Sequence, residues 1–410
     1  MPPTGAYAAP PRQDILSPGG SYDFGTEATP ARWREGGVAM SRLYFIDYSK
    51  RPVFGGALRS AVEATGFLPH AGGKRVAVKV HMGERGNASY LRPFVARAVV
   101  DLLRGAGADP FVTDTTTLYK VGRFTAADYL RTAAQNGFVP ETVGAPVVIA
   151  DGPTGSDGVT ARVPAGAAAA PALEAVEVAR AVAGAQAMVV LSHVKGHDMC
   201  GTAGAIKHLG MGCTTKAGKA AQHFVNRAVL DPARCDGCGR CVESCPFDAL
   251  RLEDGRPRRD DARCMSCNNC SWACRGGALA APAGVGPAFA RRLAAAAAAV
   301  AGLFSPGHVV YINFIQDVTV GCDCWDCVLP PLVGNVGIVA GLDPVAADRC
   351  SLDLVDAAPA LSGPGAPAVP PPPDRLGQLN GVKSLLHIEE AAALGMGEMA
   401  YELVPATTGA

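Results

Sequence analysis

Residues 235–246 read CDGCGRCVESCP, and residues 264–274 read CMSCNNCSWAC. Both stretches carry cysteines at the spacing C-x2-C-x2-C-x3-C, and the first is followed directly by Pro246. This spacing is typical of bacterial iron–sulfur proteins with two clusters, in which the fourth cysteine of each run binds the other cluster. The pattern therefore predicts a ferredoxin-type segment that holds two 4Fe–4S clusters.

The expected ligand sets are crossed between the two runs. One cluster is expected to be bound by Cys235, Cys238, Cys241 and Cys274. The other is expected to be bound by Cys264, Cys267, Cys270 and Cys245. A tight C-x2-C-x2-C loop supplies three thiolates from one turn of backbone, and a short helix after the third cysteine carries the fourth thiolate to the neighbouring cluster.

Two other uses of these cysteines compete with this interpretation. A pair of zinc knuckles is disfavoured because zinc sites usually take ligands in two pairs, whereas each run here has four cysteines. A disulfide framework is typical of small secreted domains rather than of a chain of 410 residues. Cysteines that serve as cluster ligands indicate a reducing compartment.

Composition narrows the classes of function further. The chain is 49% hydrophobic, yet no uninterrupted apolar run reaches the roughly 20 residues that a membrane helix needs. The 37 basic and 37 acidic residues balance, so bulk attraction to nucleic acid or anionic lipid is not indicated. We therefore expect a cytoplasmic protein that binds neither nucleic acid nor a membrane.

The length suggests two or three domains. The predicted organisation is a disordered N-terminal extension (1–39), the first part of an α/β domain (40–229), a ferredoxin-type insert (230–282) and the second part of the α/β domain (283–410), which contains a Pro-rich linker at 363–373. The extension has no basic-then-apolar signal pattern, and Met40 is expected to be an alternative start. The ends of the insert must lie close together in space.

Short β-branched runs alternate with Ala- and Leu-rich amphipathic segments from Leu43 onward. The stretch RVAVKVH at 75–81 is apolar except for its charged ends and one lysine, which suits a buried parallel strand. The alternation predicts an open, mostly parallel sheet with helices on both faces. Helices are also predicted over 173–182 and 382–394, and Asp343 with Pro344 is expected to cap another.

Polar side chains follow several predicted strands, where ligands bind in open α/β sheets. The candidate groups are Lys79, His81 and Glu84, then Asp114 with Thr115 to Thr117, and then the segment 193–223. That segment has four histidines and four lysines, more than the usual scatter of surface residues would give. A helix starting near Ala205 would direct its N–H groups at an anion. No dinucleotide fingerprint or Walker loop is present.

The candidate catalytic residues in this segment are His193, Lys195, His197, Lys207 and His208. Histidine can be tuned to donate protons near neutral pH, and lysine can neutralise an anionic ligand. The segment is therefore predicted to line a pocket for an anionic small molecule or a cofactor.

Residues 321–327 read GCDCWDC and follow the predicted strand 308–315. Cys322, Cys324 and Cys327 offer three thiolates in this loop. With Cys200 or Cys213 they could complete a metal site or a third cluster. The alternative is a reduced cysteine group, or a redox-active pair that forms a transient disulfide.

With these residues in view, the chain resembles an iron–sulfur protein family known as domain of unknown function 362 (DUF362). The stretches that carry the resemblance are VAVKVHMGERGNASYLRP (76–93), FVTDTTTLY (111–119), SHVKGHDMCGTAGAIKHLGMGC (192–213), the cysteine runs, Cys322 to Cys324, and GIVAGLDPVAADRCSLDLV (337–355). The likeness covers about 40–404. It implies an α/β domain with an inserted two-cluster ferredoxin, and it implies no particular reaction.

Three functions follow as hypotheses. In the first, an external low-potential donor reduces the clusters, and their electrons reach an organic substrate or a flavin in the α/β domain, as in an oxidoreductase. In the second, the chain is a non-catalytic electron carrier or assembly factor that docks another redox enzyme. The third is metal handling by Cys322, Cys324 and Cys327. One enclosed cavity faced by both 193–223 and 322–327, within electron-transfer reach of a cluster, would favour the enzyme, and a flat exposed surface would favour the carrier.

Overall fold

The structure, a computed structural model, describes residues 40–164, 171–363 and 365–406, and the predicted extension over 1–39 lies outside them. The strands are β1 (Ser41–Asp47), β2 (Arg75–Val80), β3 (Asp109–Asp114), β4 (Val147–Ile149), β5 (Gly158–Arg162), β6 (Ala175–Ala179), β7 (Ala187–His193), β8 (Lys195–His197), β9 (Gly201–Ala203), β10 (Val229–Leu230), β11 (Leu250–Glu253), β12 (Arg256–Arg259), β13 (Leu279–Ala280), β14 (Val309–Ile315), β15 (Gly337–Gly341) and β16 (Tyr401–Pro405).

The helices are α1 (Phe54–Ala64), α2 (Leu68–Ala71), α3 (Pro93–Gly105), α4 (Ala126–Gln135), α5 (Pro140–Val143), α6 (Arg180–Ala183), α7 (Ala205–Gly210), α8 (Lys216–His223), α9 (Arg240–Glu243), α10 (Asn269–Ala273), α11 (Gly286–Ala301), α12 (Pro344–Ala357), α13 (Arg375–Asn380) and α14 (Leu386–Ala393). Short 3-10 helices cover Tyr48–Lys50, Phe224–Asn226 and Pro232–Arg234. No helix in the described ranges combines the length and the apolar character needed to cross a lipid bilayer.

A central sheet of eight strands has the order β16-β1-β15-β14-β7-β2-β3-β4. Strand β15 is antiparallel to both of its neighbours, and the other adjacent pairs are parallel. The predicted α/β class with an open, mostly parallel sheet is therefore confirmed.

The central strands are buried on both faces of the sheet. Every residue of β7 and β14 is buried, as is every residue of β2 after Arg75. Because successive side chains of a strand point to opposite faces, Val76 and Val78 join one hydrophobic core while Ala77 joins the other. This two-sided burial explains why RVAVKVH is nearly continuously apolar instead of alternating.

Helices cover both faces. Helices α1, α3 and α4 pack on one core, and α7, α11, α12 and α14 pack on the other. The alanine run of α11 is buried, and small residues let α7 approach it closely. A Cβ atom on Gly210 of α7 would lie 2.6 Å from the carbonyl oxygen of Leu293, so this position requires glycine.

The predicted start of α12 is confirmed. The Asp343 carboxylate accepts the N–H groups of Val345 and Ala346, and Pro344 occupies the first turn, where its missing N–H removes no helical bond.

The helix predicted over 173–182 is wrong. This stretch contains β6, which pairs antiparallel with β5, and then the short helix α6. Val176 and Val178 of β6 are buried while Glu177 between them is not, which is the period of a strand. The alanines in this stretch favour a helix locally, but pairing with β5 decides the conformation.

The final helix predicted over 382–394 is shorter than expected. Helix α13 ends at Asn380. The next residue, Gly381, has a φ of 67° in the left-handed region, and α14 begins only at Leu386. Strand β16 then adds to the sheet edge beside β1, in an arrangement that the sequence analysis did not anticipate.

The predicted proximity of the insert ends is confirmed. Strand β10 before the cysteine runs pairs antiparallel with β13 after them, Val229 opposite Ala280 and Leu230 opposite Leu279. Between these strands lie the hairpin of β11 and β12 and the short helices α9 and α10.

Chain order reverses across the sheet between β2 and β7. From β2 the sheet continues through β3 to β4, and from β7 it continues through β14 in the opposite direction. Such a reversal leaves a crevice at the carboxyl ends of the strands, where ligands bind in open α/β sheets. Lys79 near the end of β2 and His193 at the end of β7 both lie at this reversal.

Candidate functional site

Two groups of four cysteines each line a cavity in the segment between β10 and β13, here called the insert. One cavity is lined by Cys235, Cys238, Cys241 and Cys274, and the other by Cys245, Cys264, Cys267 and Cys270. Each group thus combines three cysteines of one run with the last cysteine of the other. The pairing of β10, which precedes Cys235, with β13, which follows Cys274, places that last cysteine beside the first run.

The two runs form the same loop twice. Left-handed backbone conformations occur at equivalent positions of each run, at Gly237 and Ser266 (φ 72° and 57°), at Gly239 and Asn268 (φ 76° and 61°), and at Asp248 and Gly277 (φ 46° and 64°). Asparagine and aspartate adopt this conformation more readily than other non-glycine residues. Asn268 can therefore take the place of glycine, and both runs direct their thiols inward in the same way.

Backbone N–H groups contact the sulfur of each last cysteine. The Ala249 N–H donates to the Cys245 Sγ and the Leu279 N–H donates to the Cys274 Sγ, each over 3.3 Å. A hydrogen bond to sulfur stabilises negative charge there. The last cysteines of the two runs are thus bonded at sulfur in the same way.

Within the described ranges, no group of three or more His, Cys, Asp or Glu side chains is arranged to hold a single metal ion. A structural zinc site needs its ligands to converge on one ion.

A buried ion pair lies at the reversal of chain order in the sheet. The Lys79 Nζ atom is 2.9 Å from Oδ1 of Asp114, and the Tyr129 hydroxyl donates to the other carboxylate oxygen. Burial would raise the pKa of Asp114, but Lys79, His81 and the Tyr129 hydrogen bond together hold it below its usual value. Lys79 also lies 3.4 Å from Nδ1 of His208.

His208, one of the candidate catalytic residues, is buried and neutral. Burial lowers its pKa well below the usual value, and the nearby charge of Lys79 lowers it further. Its Nδ1 faces an ammonium, which only donates, so Nδ1 accepts and the proton resides on Nε2. His208 is thus oriented by Lys79 at the carboxyl end of β2.

Asp323 connects the candidate segment with the GCDCWDC loop. Its carboxylate lies 2.9 Å from Nδ1 of His193 and 3.1 Å from Nζ of Lys195. The Ser89 hydroxyl donates to it over 2.9 Å. Burial would raise the pKa of Asp323, but His193 and Lys195 hold it well below its usual value.

Both ring nitrogens of His193 are occupied. Nδ1 faces the Asp323 carboxylate, and Nε2 lies 2.8 Å from the carbonyl oxygen of Gln316. Each ring nitrogen of His193 thus has a partner within the protein. Lys195 likewise bonds the His193 carbonyl and the Asp323 carboxylate. Two of the five candidate catalytic residues therefore anchor the loop, and His193 has no ring nitrogen left for a ligand.

A second buried network surrounds Arg123. Its guanidinium lies 2.9 Å from the Glu84 carboxylate and 3.0 Å from Nε2 of His81, and it donates to the Tyr119 hydroxyl. Burial lowers the pKa of His81 well below its usual value, and Arg123 lowers it further, so His81 is neutral. The structure thus brings together His81 and Glu84 as predicted, around an arginine that the sequence analysis did not single out.

Cys322 and Cys324 act on each other's ionisation in this loop. The Cys324 thiol and the nearby charges of Lys207 and Lys195 lower the pKa of Cys322, while the interaction with Cys322 raises the pKa of Cys324. The Cys324 N–H also donates to the Cys322 Sγ over 3.4 Å. Cys322 is therefore the thiolate of this pair.

The other cysteines proposed for this site are placed differently. Cys327 is exposed. Partial desolvation of its thiol and the charge of Asp326 raise its pKa, and neither Cys322 nor Cys324 contributes. Cys213 lies in the core beside Lys79 and Asp114, away from the loop. Cys200 is buried, and its burial raises its pKa to about 12, with a further contribution from nearby Cys322. The structure thus brings together Cys322 and Cys324 but not Cys327, and no metal-binding group forms here within the described residues.

Lys207 faces the thiol pair. Burial would lower the pKa of Lys207, but the sulfurs of Cys322, Cys200 and Cys324 raise it, so it carries a charge. Within the described ranges its ammonium makes no ion pair or hydrogen bond, in contrast to the ammonium of Lys195. Of the candidate lysines, Lys207 is therefore the one suited to an anionic ligand.

Two neutral histidines lie near Lys207. Burial, together with the charge of Lys207, lowers the pKa of His197 well below its usual value and lowers that of His387 to about 3. The His197 Nδ1 accepts the Met199 N–H over 3.1 Å. His387 is fully buried, and neither ring nitrogen has a partner within the described residues.

The anion expected at the start of α7 is a side chain of the protein itself. The Asp348 carboxylate accepts the N–H groups of Ala205 and Ile206 over 2.6 and 2.9 Å. A Cβ atom on Gly204 would lie 2.2 Å from this carboxylate. The prediction that this helix end binds an external anion is therefore wrong, because Asp348 of α12 already fills the position.

Aromatic contacts join the insert to the α/β part. The Trp272 ring of α10 packs edge-on against Tyr119 with ring centres 5.6 Å apart, and Phe247 packs on Phe124 at 6.0 Å. Burial raises the pKa of Tyr119 well above its usual value, and the nearby Cys324 raises it further. Tyr119 therefore lies close to both the insert and the thiol pair.

Sequence reasoning missed several residues of this site. Asp323, Tyr119, Arg123, Tyr129 and His387 are all in contact with, or close to, residues that it had identified. Asp323 lies between two cysteines that were predicted to be metal ligands. A carboxylate between them could have been predicted to belong to the same site. His387 lies in a C-terminal helix, where nothing in the local pattern indicates a site.

Solved structures with detectable similarity include two distant cases. The lactate racemase apoprotein from Thermoanaerobacterium thermosaccharolyticum is 13% identical, with a TM-score of 0.27, over 52% of this chain and 42% of that one. A protein from Thermotoga maritima is 14% identical, with a TM-score of 0.27, over 41% of this chain and 40% of that one. The chain thus matches less than half the length of either protein. No curated protein matches the sequence.

A family model described as "Domain of unknown function (DUF362)" matches residues 76–353. The matched range begins in β2, contains both cysteine runs and the GCDCWDC loop, and ends in α12. It covers more than half of the 410 residues and confirms the family resemblance seen in the sequence. This chain belongs to the DUF362 family.

Proposed function

We propose that this protein binds two 4Fe–4S clusters and passes electrons to an acceptor in its α/β domain. The ligands would be Cys235, Cys238, Cys241 and Cys274 for one cluster and Cys264, Cys267, Cys270 and Cys245 for the other. The observation that carries the proposal is that each of two cavities is lined by three cysteines of one run and the last cysteine of the other.

The chemistry of the two cavities fits such clusters. A cubane occupies the space between its four thiolates, so its ligands surround a cavity rather than converge on one point. The repeated left-handed turns direct three thiols of each run inward, and the N–H groups of Ala249 and Leu279 would stabilise the charge on the crossing sulfurs. Bound clusters of this type supply one-electron transfer, at a potential tuned by such hydrogen bonds.

The contacts between the insert and the α/β part support delivery of electrons inward. Trp272 lies between two proposed ligands, Cys270 and Cys274, and packs on Tyr119 at the carboxyl ends of the strands. The Lys120 N–H also donates to the Asn269 side chain over 3.3 Å. The proposed electron source thus abuts the crevice where an acceptor is expected.

The residues around the crevice favour an anionic acceptor. Lys207 carries a charge with no partner within the described residues, and it would neutralise a carboxylate, a phosphate or the anionic form of a reduced flavin. His197 and His208 are neutral, so each could donate or accept a proton there. His193 and Lys195, by contrast, would position the loop through Asp323.

Cofactor analysis of anaerobically purified protein tests the proposal. We expect about eight iron and eight sulfide per chain, and a visible absorbance band that dithionite bleaches. Cys238→Ser and Cys267→Ser each remove a ligand of one cavity, and each is expected to lose about half of the iron. Cys350→Ser, a buried cysteine of α12 away from both cavities, is the matched control and should keep all of it. Colourless protein that contains zinc or no metal would refute the proposal.

The alternative is a non-catalytic electron carrier or an assembly factor. The exposure of Cys238 favours it, because a ligand at the surface allows exchange with an external partner. The two functions differ in what the crevice binds. Flavin or another organic acceptor released from the protein by acid would support the enzyme, and two full clusters with an empty crevice in every preparation would support the carrier.

A further inference from the structure

The GCDCWDC loop holds two cysteines in a geometry suited to exchange between thiol and disulfide. The Cys324 N–H donates to the Cys322 Sγ over 3.4 Å, and the Trp325 N–H donates to the Cys322 carbonyl over 3.0 Å, which closes a tight turn. Cys327, the third cysteine of the motif, is exposed and lies outside this contact.

The turn is fixed from its middle residue. Asp323, between the two cysteines, is anchored by His193, Lys195 and Ser89, and its carbonyl accepts the Glu84 N–H over 3.1 Å. The side chains on either side of an anchored residue are held in place with it. The two sulfurs are thus kept together by contacts to two strand ends, those of β2 and β7, and not by the loop alone.

The surroundings favour a thiolate at Cys322. Its sulfur accepts the Cys324 N–H, and the Cys324 thiol with the charges of Lys207 and Lys195 lowers its pKa. The thiolate is the reactive form of cysteine in disulfide exchange. Cationic side chains beside a cysteine pair favour this form and are unfavourable for a bound metal cation.

We infer that Cys322 and Cys324 form a dithiol–disulfide couple that reacts with small, anionic or neutral disulfides. Cys322 attacks one sulfur of the small disulfide, which breaks the S–S bond and releases one thiolate that takes up a proton. Cys324 then loses its proton and attacks the Cys322 sulfur, which forms the Cys322–Cys324 bond and releases the second thiol. The pair gives up two electrons, and the small disulfide gains two.

The return of the pair to the dithiol needs two electrons and two protons. This half of the cycle rests on the proposed function, in which a low-potential one-electron donor supplies the chain. Cys324 contributes to raising the pKa of Tyr119, so the two side chains are close, and the Tyr119 ring contacts Trp272 of the insert. Arg123 donates to the Tyr119 hydroxyl and also binds Glu84 and His81.

The test uses the anaerobic holoprotein and 2-hydroxyethyl disulfide as the probe. Wild type is expected to release about two equivalents of 2-mercaptoethanol and to gain a Cys322–Cys324 disulfide, located by fragment mass spectrometry. Cys324→Ser should stop after about one equivalent, with the probe attached to Cys322. Cys327→Ser, in the same loop, should behave as wild type does.

Three outcomes would overturn the inference. They are release of no thiol, a bond between Cys324 and Cys327, and the full two equivalents from Cys324→Ser. Iron and sulfide are measured on the same samples, so the two proposals fail separately. Protein with full iron and no Cys322–Cys324 bond contradicts this inference alone, and protein without iron that forms the bond contradicts the proposed function alone.

Discussion

The Nδ1 atom of His193 lies 2.9 Å from the Oδ2 atom of Asp323, in a buried contact between residues 130 positions apart. Both residues come from segments with candidate chemistry, and their ion pair makes those segments one site. The same carboxylate also binds Lys195. A carboxylate of the GCDCWDC loop therefore binds both side chains at the end of β7.

Replacement of Asp323 by asparagine is expected to destabilise the protein. The Lys195 ammonium would remain buried without its carboxylate partner and His193 would lose its contact with that carboxylate, a change that costs about 3–5 kcal/mol. Urea unfolding under anaerobic conditions measures the loss. Asp326→Asn is the matched control, because Asp326 is exposed in the same loop, and it should change the free energy of unfolding by less than about 0.5 kcal/mol. Equal effects of the two substitutions would show that the buried pair does not hold the loop.

Replacement of His387 by leucine is expected to leave the free energy of unfolding unchanged or to raise it by about 1 kcal/mol, because both buried ring nitrogens lack partners. Burial lowers the pKa of His387 to about 3, from about 6.5 in an unfolded chain. Between these two pKa values the unfolded state binds more protons than the folded state. The free energy of unfolding is therefore not reduced by His387 above about pH 6.5, and it falls as the pH falls below that value.

The leucine variant should therefore show a flatter decline in melting temperature than wild type between about pH 6.5 and pH 4. Comparison of variant with wild type at each pH cancels effects of acid on other groups. Parallel profiles for the two proteins would mean that His387 is not held neutral in the folded state.

Replacement of Lys207 by methionine is expected to alter reactivity more than stability. The Lys207 ammonium has no ion pair within the described residues to lose, but its charge lowers the pKa of Cys322. The pH profile of Cys322 alkylation by iodoacetamide should therefore shift to higher pH, and the free energy of unfolding should fall by no more than about 0.5 kcal/mol. Lys120→Met, at an exposed lysine near the insert, is the control and should leave the profile in place. An unshifted profile in the Lys207 variant would contradict the assignment of Cys322 as the thiolate.

Replacement of Asp348 by alanine is expected to cost about 2–4 kcal/mol, because the N–H groups of Ala205 and Ile206 and the side chain of Asn313 lose their acceptor. Urea unfolding gives the value. Asp101→Ala, which removes an exposed helical aspartate paired with Arg97, should cost less than about 1 kcal/mol. A small effect at Asp348 would indicate that another group can cap α7.

Local sequence determined the parts of this protein whose geometry depends on neighbouring residues. The cysteine spacing predicts a loop that directs three thiols inward, and the structure repeats that loop at both runs. Asp343 and Pro344 start α12 as expected, because a cap depends only on the first turn. The alternation of strand and helix was readable since each element carries its own period.

Tertiary structure decided whatever depends on pairing between distant segments. The stretch 173–182 is rich in helix-forming residues, yet β6 forms there because β5 offers a partner strand. Lys195 and Lys207 look alike in the sequence, but a carboxylate more than a hundred residues away engages only the first. Lys207 keeps an unpaired charge in the crevice because the fold brings no carboxylate within ion-pair distance of it among the described residues. The local sequence does not encode the distance between Lys207 and such a carboxylate.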